Sequence, residues 1–304
     1  MSLSSLRWLV VSVVLLVALF TARAAETPKP FLWRIEGGSK PSYVFGTIHL
    51  TGTDVTTLST ATQKAVSSAV ALYTEIPMDM ATQMKAATSL MGGESLAKVL
   101  PKDLYERAEA ELKRINPALN LQPFGQMKIW ALAVTIGLIE EQLKNPGALP
   151  LDAVLYTTAQ RAGKEVGGIE TMEEQAGLFE QFSKDEQIAM LRATLDDIER
   201  ARKEGRNPLD EMRKAYLSGD LSKLDKTLNE WMSGFDPKLL ARFMEELLTK
   251  RNQVMAKRIG EKLKSAPEKG QFFAVGAGHL MGEDGVLKLL EKQGLKVTRV
   301  TEGT

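Results

Sequence analysis

Two stretches, YVFGTIH at residues 43–49 and FFAVGAGH at residues 272–279, determine the predicted fold of this chain. Each is a short apolar run, typical of a buried strand, that ends in a Gly-x-x-His sequence. His49 and His279 are the only histidines among the 304 residues. A polar turn and a helical pattern follow each of them. Because the same strand, Gly-x-x-His and helix order occurs near both ends of the chain, we predict that folding brings the two histidines together.

The residues around each stretch extend it into a larger α/β unit. The first unit contains predicted strands at 31–36, 43–48 and 71–76, with a helix before the third. The second contains predicted strands at 271–275 and 295–300 on either side of a helix at 286–292. The first two strands are separated by Gly37-Gly38, which predicts a β-hairpin.

The middle of the chain, residues 95–264, carries the apolar periodicity of helices almost throughout. One short strand, near 165–170, interrupts it. The sequence therefore predicts an α/β fold whose central sheet is built from the two strand–Gly-x-x-His–helix–strand units. The α/β core is expected at about 30–80 and 265–302, with a large helical insertion between. Methionines are scattered along the insertion, and we predict that they fill its core.

The first residues are typical of a secretory signal peptide. A basic start is followed by an apolar run from Trp8 to Phe20 and by Ala22-Arg23-Ala24, a small-residue cleavage site. We predict a signal peptide at 1–24, a single domain at 25–304 and export, with the periplasm as destination. The apolar run is short for a transmembrane helix. An uncleaved anchor is the alternative, and no stable membrane span is expected after cleavage.

Charge and cysteine content exclude several classes of function. The chain has 39 basic and 38 acidic residues, for a net charge of +1, and no basic stripe. No nucleic-acid partner is therefore expected. The absence of cysteine excludes disulfides, thiolate metal sites and a cysteine nucleophile.

Histidine and carboxylate are then the strongest ligands available, and they predict a divalent metal site. Glu75 lies in an apolar strand-like run, where a charge is costly unless it has a partner. We predict that His49, His279 and Glu75 bind one ion of Mn, Co or Zn. A water on such an ion becomes a nucleophile near neutral pH. Gly46 and Gly276 are predicted to line the cofactor-binding site, since glycine lets the backbone approach closely.

The residues alone leave other interpretations open. His49 and His279 could be two structural histidines with satisfied hydrogen bonds. Glu75 could be a general base rather than a ligand, or a surface-facing residue of an edge strand. Each of these alternatives is consistent with the same sequence.

Several short sequences resemble the TraB/GumN family, which includes pheromone-shutdown proteins and the Tiki metalloproteases. They are GTIH at 46–49, LD at 151–152, GK at 163–164, GIET at 168–171 with Gln175, RN at 251–252 and GAGH at 276–279. The resemblance implies an α/β core related to erythromycin-esterase and ChaN-like proteins. From the Tiki branch it implies metal-dependent peptidase activity with Mn or Co.

The resemblance also implies roles for individual residues. The catalytic set it implies is His49, Glu75, Arg251, Asn252 and His279. Within this set, the Arg-Asn pair is expected to orient a carboxylate or a substrate carbonyl.

The GIET sequence has a structural interpretation as well. Thr171 and Glu174 are spaced as a capping box at the start of a helix. Glu170 could then simply belong to the end of the preceding strand.

We therefore expect an exported metal-dependent hydrolase, most simply a peptidase, that acts on a peptide or another small molecule. The alternative is a non-catalytic binding or scavenging protein for haem or a peptide signal. An accessory factor in envelope polysaccharide export is a third candidate, which only the GumN resemblance implies.

Overall fold

The computed structural model describes residues 30–92 and 94–301, and the predicted signal peptide at 1–24 lies outside them. The described residues form a six-stranded mixed sheet surrounded by helices, which confirms the predicted α/β class. The strands are β1 (Leu32–Glu36), β2 (Ser42–Thr47), β3 (Ala71–Thr74), β4 (Glu165–Gly168), β5 (Gln271–Gly276) and β6 (Lys296–Arg299). Their order across the sheet is β4-β3-β5-β2-β1-β6.

Four adjacent strands, β4, β3, β5 and β2, run parallel, whereas β1 is antiparallel to β2 and β6. The sequence of β5, QFFAVG, is buried along its whole length, as expected of a strand inside a parallel sheet. This strand lies between β2 and β3, so those two are not neighbours. The carboxyl ends of the four parallel strands lie along one edge of the sheet.

The helices supply the rest of the described structure. They are α1 (Thr53–Thr56), α2 (Thr60–Ser68), α3 (Met80–Ser89), α4 (Leu96–Val99), α5 (Lys102–Ile115), α6 (Ile129–Lys144), α7 (Leu151–Arg161), α8 (Met172–Glu180), α9 (Lys184–Lys203), α10 (Pro208–Leu217), α11 (Leu221–Trp231), α12 (Pro237–Met244), α13 (Lys250–Ser265) and α14 (Val286–Lys292). A π turn at Glu245–Thr249 joins α12 to α13, and 3₁₀ turns lie at Gln122–Phe124 and Ala277–Leu280. Within residues 30–92 and 94–301, none of these helices is both long and apolar enough to cross a bilayer.

Two candidate site residues, Glu75 and His279, lie just beyond the ends of their strands. β3 ends at Thr74, whose hydroxyl donates to the carbonyl of Ile76 (2.6 Å) and turns the chain before Pro77. Glu75 is therefore the first residue after the strand rather than a residue within it. Similarly, β5 ends at Gly276, and His279 lies in the 3₁₀ turn that follows.

The apolar residues form two main cores. One lies on the sheet and includes Phe31, Phe272 and Phe273, which are almost fully buried. Residues from the middle of the chain, such as Leu151 on α7 and Met255 on α13, belong to this same core. The second core joins α5, α6 and α9. Part of the predicted helical insertion therefore packs on the sheet, and part has a core of its own.

The Gly163-Lys164 sequence has a structural role at the start of β4. Gly163 has a φ of +72°, the left-handed conformation that commonly ends a helix, and it follows α7. The Lys164 ammonium donates to the carbonyls of Val66 (3.0 Å) and Ser67 (2.9 Å) at the end of α2. A cation at this position satisfies free carbonyls and complements the helix dipole.

Candidate active site

Four polar side chains follow the four parallel strands at their shared carboxyl edge. His49 follows β2, Glu75 follows β3, Glu170 follows β4 and His279 follows β5. Open α/β sheets place their ligand sites at this edge, since the loops that leave the strands converge there. Glu75, Glu170 and His279 are each about 95% buried, whereas the side chain of His49 is 59% exposed because it borders an open pocket.

Arg251 connects the two buried carboxylates. Its Nη2 donates to Oε2 of Glu75 (2.6 Å) and to Oε2 of Glu170 (2.7 Å). It lies at the start of α13, directly after the π turn, and its Nη1 also donates to the carbonyl of Leu247 within that turn (3.3 Å). π turns are frequent at functional sites. Here the turn directly precedes the helix that carries Arg251, which contacts both acids.

The remaining hydrogen-bonding capacity of Glu75 is also satisfied by protein donors. The amide of Gln175 donates to Oε2 of both Glu75 and Glu170 (3.1 Å each), and the N–H of Gly276 donates to Oε1 of Glu75 (2.6 Å). Burial opposes ionisation of Glu75, but positive charge at His279 and Arg251 holds its pKa well below the usual range. Arg251 is the permanent charge of the two, so Glu75 is a carboxylate at neutral pH.

His279 is held by a hydrogen bond on each ring nitrogen. Its Nδ1 lies 2.7 Å from Oδ1 of Asn252, and the amide nitrogen of Asn252 donates to the carbonyl of Asp284 (2.9 Å). That second bond fixes the amide, so we assign the ring proton to Nδ1. Nε2 then accepts from Nη1 of Arg251 (3.0 Å). Burial lowers the pKa of His279 to about 4, which makes this ring neutral at neutral pH.

His49 has a buried carboxylate behind it. Its Nδ1 lies 3.1 Å from Oδ2 of Asp152, whose Oδ1 accepts from the hydroxyl of Thr47 (2.7 Å). Asp152 is 1% exposed, and its negative charge raises the pKa of His49 to about 9. The other nitrogen, Nε2, faces the pocket. A carboxylate behind an imidazole in this way fixes the ring orientation of many metal-binding histidines.

Gly276 lies where these groups converge. A β-carbon on Gly276 would stand 3.0 Å from Oε1 of Glu75, 3.5 Å from the His279 ring and 3.7 Å from Nε2 of His49. The space between the two imidazoles and the carboxylate is therefore kept open by the absence of a side chain at this position.

The Gly276→Ala variant is expected to lose most of the activity of the site. Its φ of −54° suits alanine, so the backbone is not strained, but the added methyl displaces Glu75 from its donors. We therefore expect a somewhat lower unfolding midpoint together with a much larger loss of activity. Turnover and thermal unfolding would be measured together. Gly278→Ala is the matched control, because its β-carbon would meet only Leu228, at 4.0 Å. Equal activity of the two variants would contradict this assignment.

A pocket of about 440 Å³ opens above this cluster. His49, Glu75, Arg251, Gly276 and His279 form its polar base. Its volume lies within the range of roughly 300–1,000 Å³ that small-molecule sites occupy. A substrate in this pocket would have its reacting group next to both histidines.

The structure brings most of the predicted site residues together. The same space is bordered by His49, Glu75, Arg251 and Gly276. Asn252 contacts this site through its hydrogen bond with His279. Gly46 does not border this space: a β-carbon there would lie 2.8 Å from Leu280 and 2.9 Å from Phe31, so its small size serves core packing.

Sequence reasoning did not identify the partners of these residues. Asp152 and Gln175 belong to the sequences that resemble TraB/GumN, but nothing local distinguished them from ordinary helix residues. Thr171 and Glu174 form the predicted capping box at the start of α8. Glu170, for which that box offered a structural explanation, also binds Arg251.

The donor types suit a divalent metal ion, but one contact competes with it. Within the described residues, no group of three His, Asp or Glu side chains is arranged to hold an ion. The reason lies in Arg251, which donates to Nε2 of His279 and to Glu75, two of the atoms that would bind the metal. Of the atoms that would bind the metal, Nε2 of His49 is the one that faces open space.

Comparisons with known proteins identify one family. The model of the TraB/PrgY/gumN family matches residues 31–299. The chain is 29% identical to "Metalloprotease TIKI1" of Xenopus tropicalis and 28% identical to the Homo sapiens protein of that name, over 90% of this chain and 62% of each relative. It is 27% identical to "Metalloprotease TIKI2" of Danio rerio, over 97% of this chain and 68% of the relative. The chain thus spans about three fifths of the TIKI1 relatives. No solved structure matches it.

Proposed function

Because the chain belongs to the TraB/PrgY/gumN family, we propose that it is an extracytoplasmic hydrolase of the peptidase type. Relatives named as metalloproteases support the reaction class. One observation carries the proposal for this chain. An imidazole with an open Nε2, a buried carboxylate and a second imidazole surround the space at Gly276, at the base of a pocket of substrate size.

The protein groups around the site have separable tasks in this proposal. Asp152 holds the ring of His49 so that Nε2 faces the substrate. Arg251 and the Gly276 N–H hold Glu75 ionised and in place. A carboxylate with such a low pKa and so many donors is a poor general base. The role we propose for Glu75 is therefore that of an anchor or ligand.

If a divalent ion binds, Nε2 of His49, Nε2 of His279 and Glu75 are the groups that would hold it. Bound there, the ion would polarise a substrate carbonyl and lower the pKa of a water molecule. The proton on Nε2 of His49 must leave before this atom can bind a cation. Arg251 must also release Nε2 of His279, with which it now shares a hydrogen bond.

Metal content tests the metal part of this proposal. We expect about one equivalent of Mn, Co or Zn in the wild-type protein and a loss of roughly 10-fold or more in affinity in His49→Ala and His279→Ala, since each removes a ligand. Elemental analysis after dialysis measures the metal that the wild type and each variant retain. Lys113→Ala, which removes an ion pair on α5, a helix that does not line the pocket, serves as the control. Stoichiometric metal in both histidine variants would contradict the site.

The same samples test the second candidate, a haem scavenger. This candidate is favoured by one observation, the open Nε2 of His49 beside a largely apolar pocket. Haem bound by an imidazole would give a strong visible absorbance band in the wild type that His49→Ala loses. That band, without hydrolysis of any peptide, would replace our first proposal with the second.

A further inference from the structure

Above its polar base, the pocket is lined almost entirely by apolar side chains. Leucines, phenylalanines and two tryptophans of the surrounding helices form the walls, together with the π turn before Arg251. Five methionines take part: Met190, Met212, Met232, Met244 and Met281. Met190 and Met232 are also buried, as predicted for core residues, so these side chains contribute to the core and line the pocket at the same time. We propose that this pocket binds a long acyl chain.

The secondary structure of the walls favours a hydrocarbon chain over an extended peptide. Helices α6, α9, α11 and α12 form most of the walls, and their backbone groups are bonded within each helix. Peptides bound in extended form rely on free backbone groups of a sheet edge or on polar side chains. Two polar side chains of the α9 wall are already used: Thr194 donates to the carbonyl of Met190 (3.0 Å), and Asp197 accepts from Arg200 (2.5 Å). Peptide groups along these walls would find few partners, whereas methylene groups need none.

The side chains themselves suit a ligand of variable shape. Methionine is unbranched and polarizable, and it adapts to irregular apolar ligands. Trp130 and Phe179 stack at 4.5 Å to form one rigid wall, while the methionines and leucines of α11, α12 and the π turn form a softer one. Such a pair of walls can accommodate chains that differ in length or unsaturation.

The polar base determines which end of the chain lies where. The charged and polar groups of the pocket lie at its base, so the carbonyl or carboxylate of an acyl group is expected there, with the tail pointing away from the sheet. Calling this acyl compound a substrate, for example an acylated peptide, rests on the hydrolase proposed above. Binding of the acyl chain in the pocket does not depend on that hydrolase.

Quenching of tryptophan emission by dibromostearate, whose bromines quench on contact, tests the binding. Trp130 and Trp231 line the pocket, whereas Trp33 packs against Phe31 in the sheet core. We expect dibromostearate to quench the tryptophan emission of the full chain in a saturable manner. Palmitate should displace dibromostearate and restore the emission. Replacing both pocket tryptophans with phenylalanine should remove most of the quenching but leave binding of palmitate by calorimetry.

Two glycine variants on helix surfaces distinguish this pocket from non-specific binding. Gly137 on α6 lines the pocket, and a β-carbon there would meet no atom within 4 Å, so Gly137→Leu places a side chain into the ligand space. We expect it to weaken palmitate binding by about tenfold or more, as blocking a filled pocket does. Gly177→Leu, on α8, also enters open space but does not line the pocket, and it should bind as the wild type does.

The possible outcomes separate this inference from the proposed function. Saturable binding that Gly137→Leu weakens supports the acyl pocket. Cleavage of peptides by a protein that binds neither dibromostearate nor palmitate would overturn the pocket but leave the hydrolase. Tight binding of an apolar peptide without binding of either fatty acid would overturn it in favour of a peptide channel. Fatty-acid binding without hydrolysis would leave the pocket and reject the hydrolase.

Discussion

Replacing Arg251 with alanine is expected to lower the free energy of unfolding by about 3–5 kcal/mol, because it breaks a buried ion pair from one side. Glu75 and Glu170 would remain buried without a cation between them, held by the shared amide of Gln175 and, for Glu75, by the N–H of Gly276. Chemical denaturation of both proteins measures the difference. The loss should be largest above pH 4.5, the ordinary pKa of glutamate, and should shrink as the pH falls, because the freed carboxylates take up protons.

Arg258→Ala is the matched control for this variant. Arg258 lies on the same helix, α13, and its Nη2 lies 2.6 Å from Oε1 of Glu174, but both side chains are substantially exposed. Such surface pairs contribute about 0–1 kcal/mol. Equal losses in the free energy of unfolding for the two arginine variants would show that the buried cluster contributes no more to stability than a surface ion pair does. Combining Arg251→Met with Glu75→Gln and Glu170→Gln should recover part of the loss, since no charge remains to be neutralised.

Replacing His49 with alanine is expected to lower kcat/KM by about 100- to 10,000-fold, the range for a side chain that acts directly on a reacting group. His49 is the residue of the cluster whose Nε2 faces the pocket, whereas both nitrogens of His279 are engaged by Asn252 and Arg251. Cleavage of a library of quenched fluorescent peptides would be followed by fluorescence and mass spectrometry. A variant as active as the wild type would place the reaction elsewhere.

Asp152→Asn separates positioning from direct participation. Asparagine preserves the shape of Asp152 and its bond with Thr47 but removes the charge that faces Nδ1 of His49. We expect a smaller loss, of about 10- to 100-fold, as is usual when the partner of a functional histidine is changed. Palmitate binding should be unaffected, because Asp152 does not border the pocket. A loss as large as that of His49→Ala would instead indicate that Asp152 takes part in the reaction itself.

Much of the fold followed from local patterns in the sequence. The apolar runs of β2 and β5 and the Gly37-Gly38 hairpin between β1 and β2 each have a local physical cause, and the structure contains them. The order of the strands did not follow from such patterns. β5 lies between β2 and β3, where both of its faces are covered, and burying its apolar run there removes apolar surface from water.

The sequence by itself determined which residues could do chemistry in this protein. Without cysteine, and with two histidines that both follow a Gly-x-x-His pattern, His49, His279 and one buried glutamate were the candidates. Only the tertiary structure decided their electrostatic state. Arg251 helps to keep Glu75 charged and Asp152 favours the cationic form of His49, and in both pairs the partners are more than 100 positions apart in the sequence. Burial keeps His279 neutral. Interactions between charges depend on distance and burial, and neither can be read from sequence spacing.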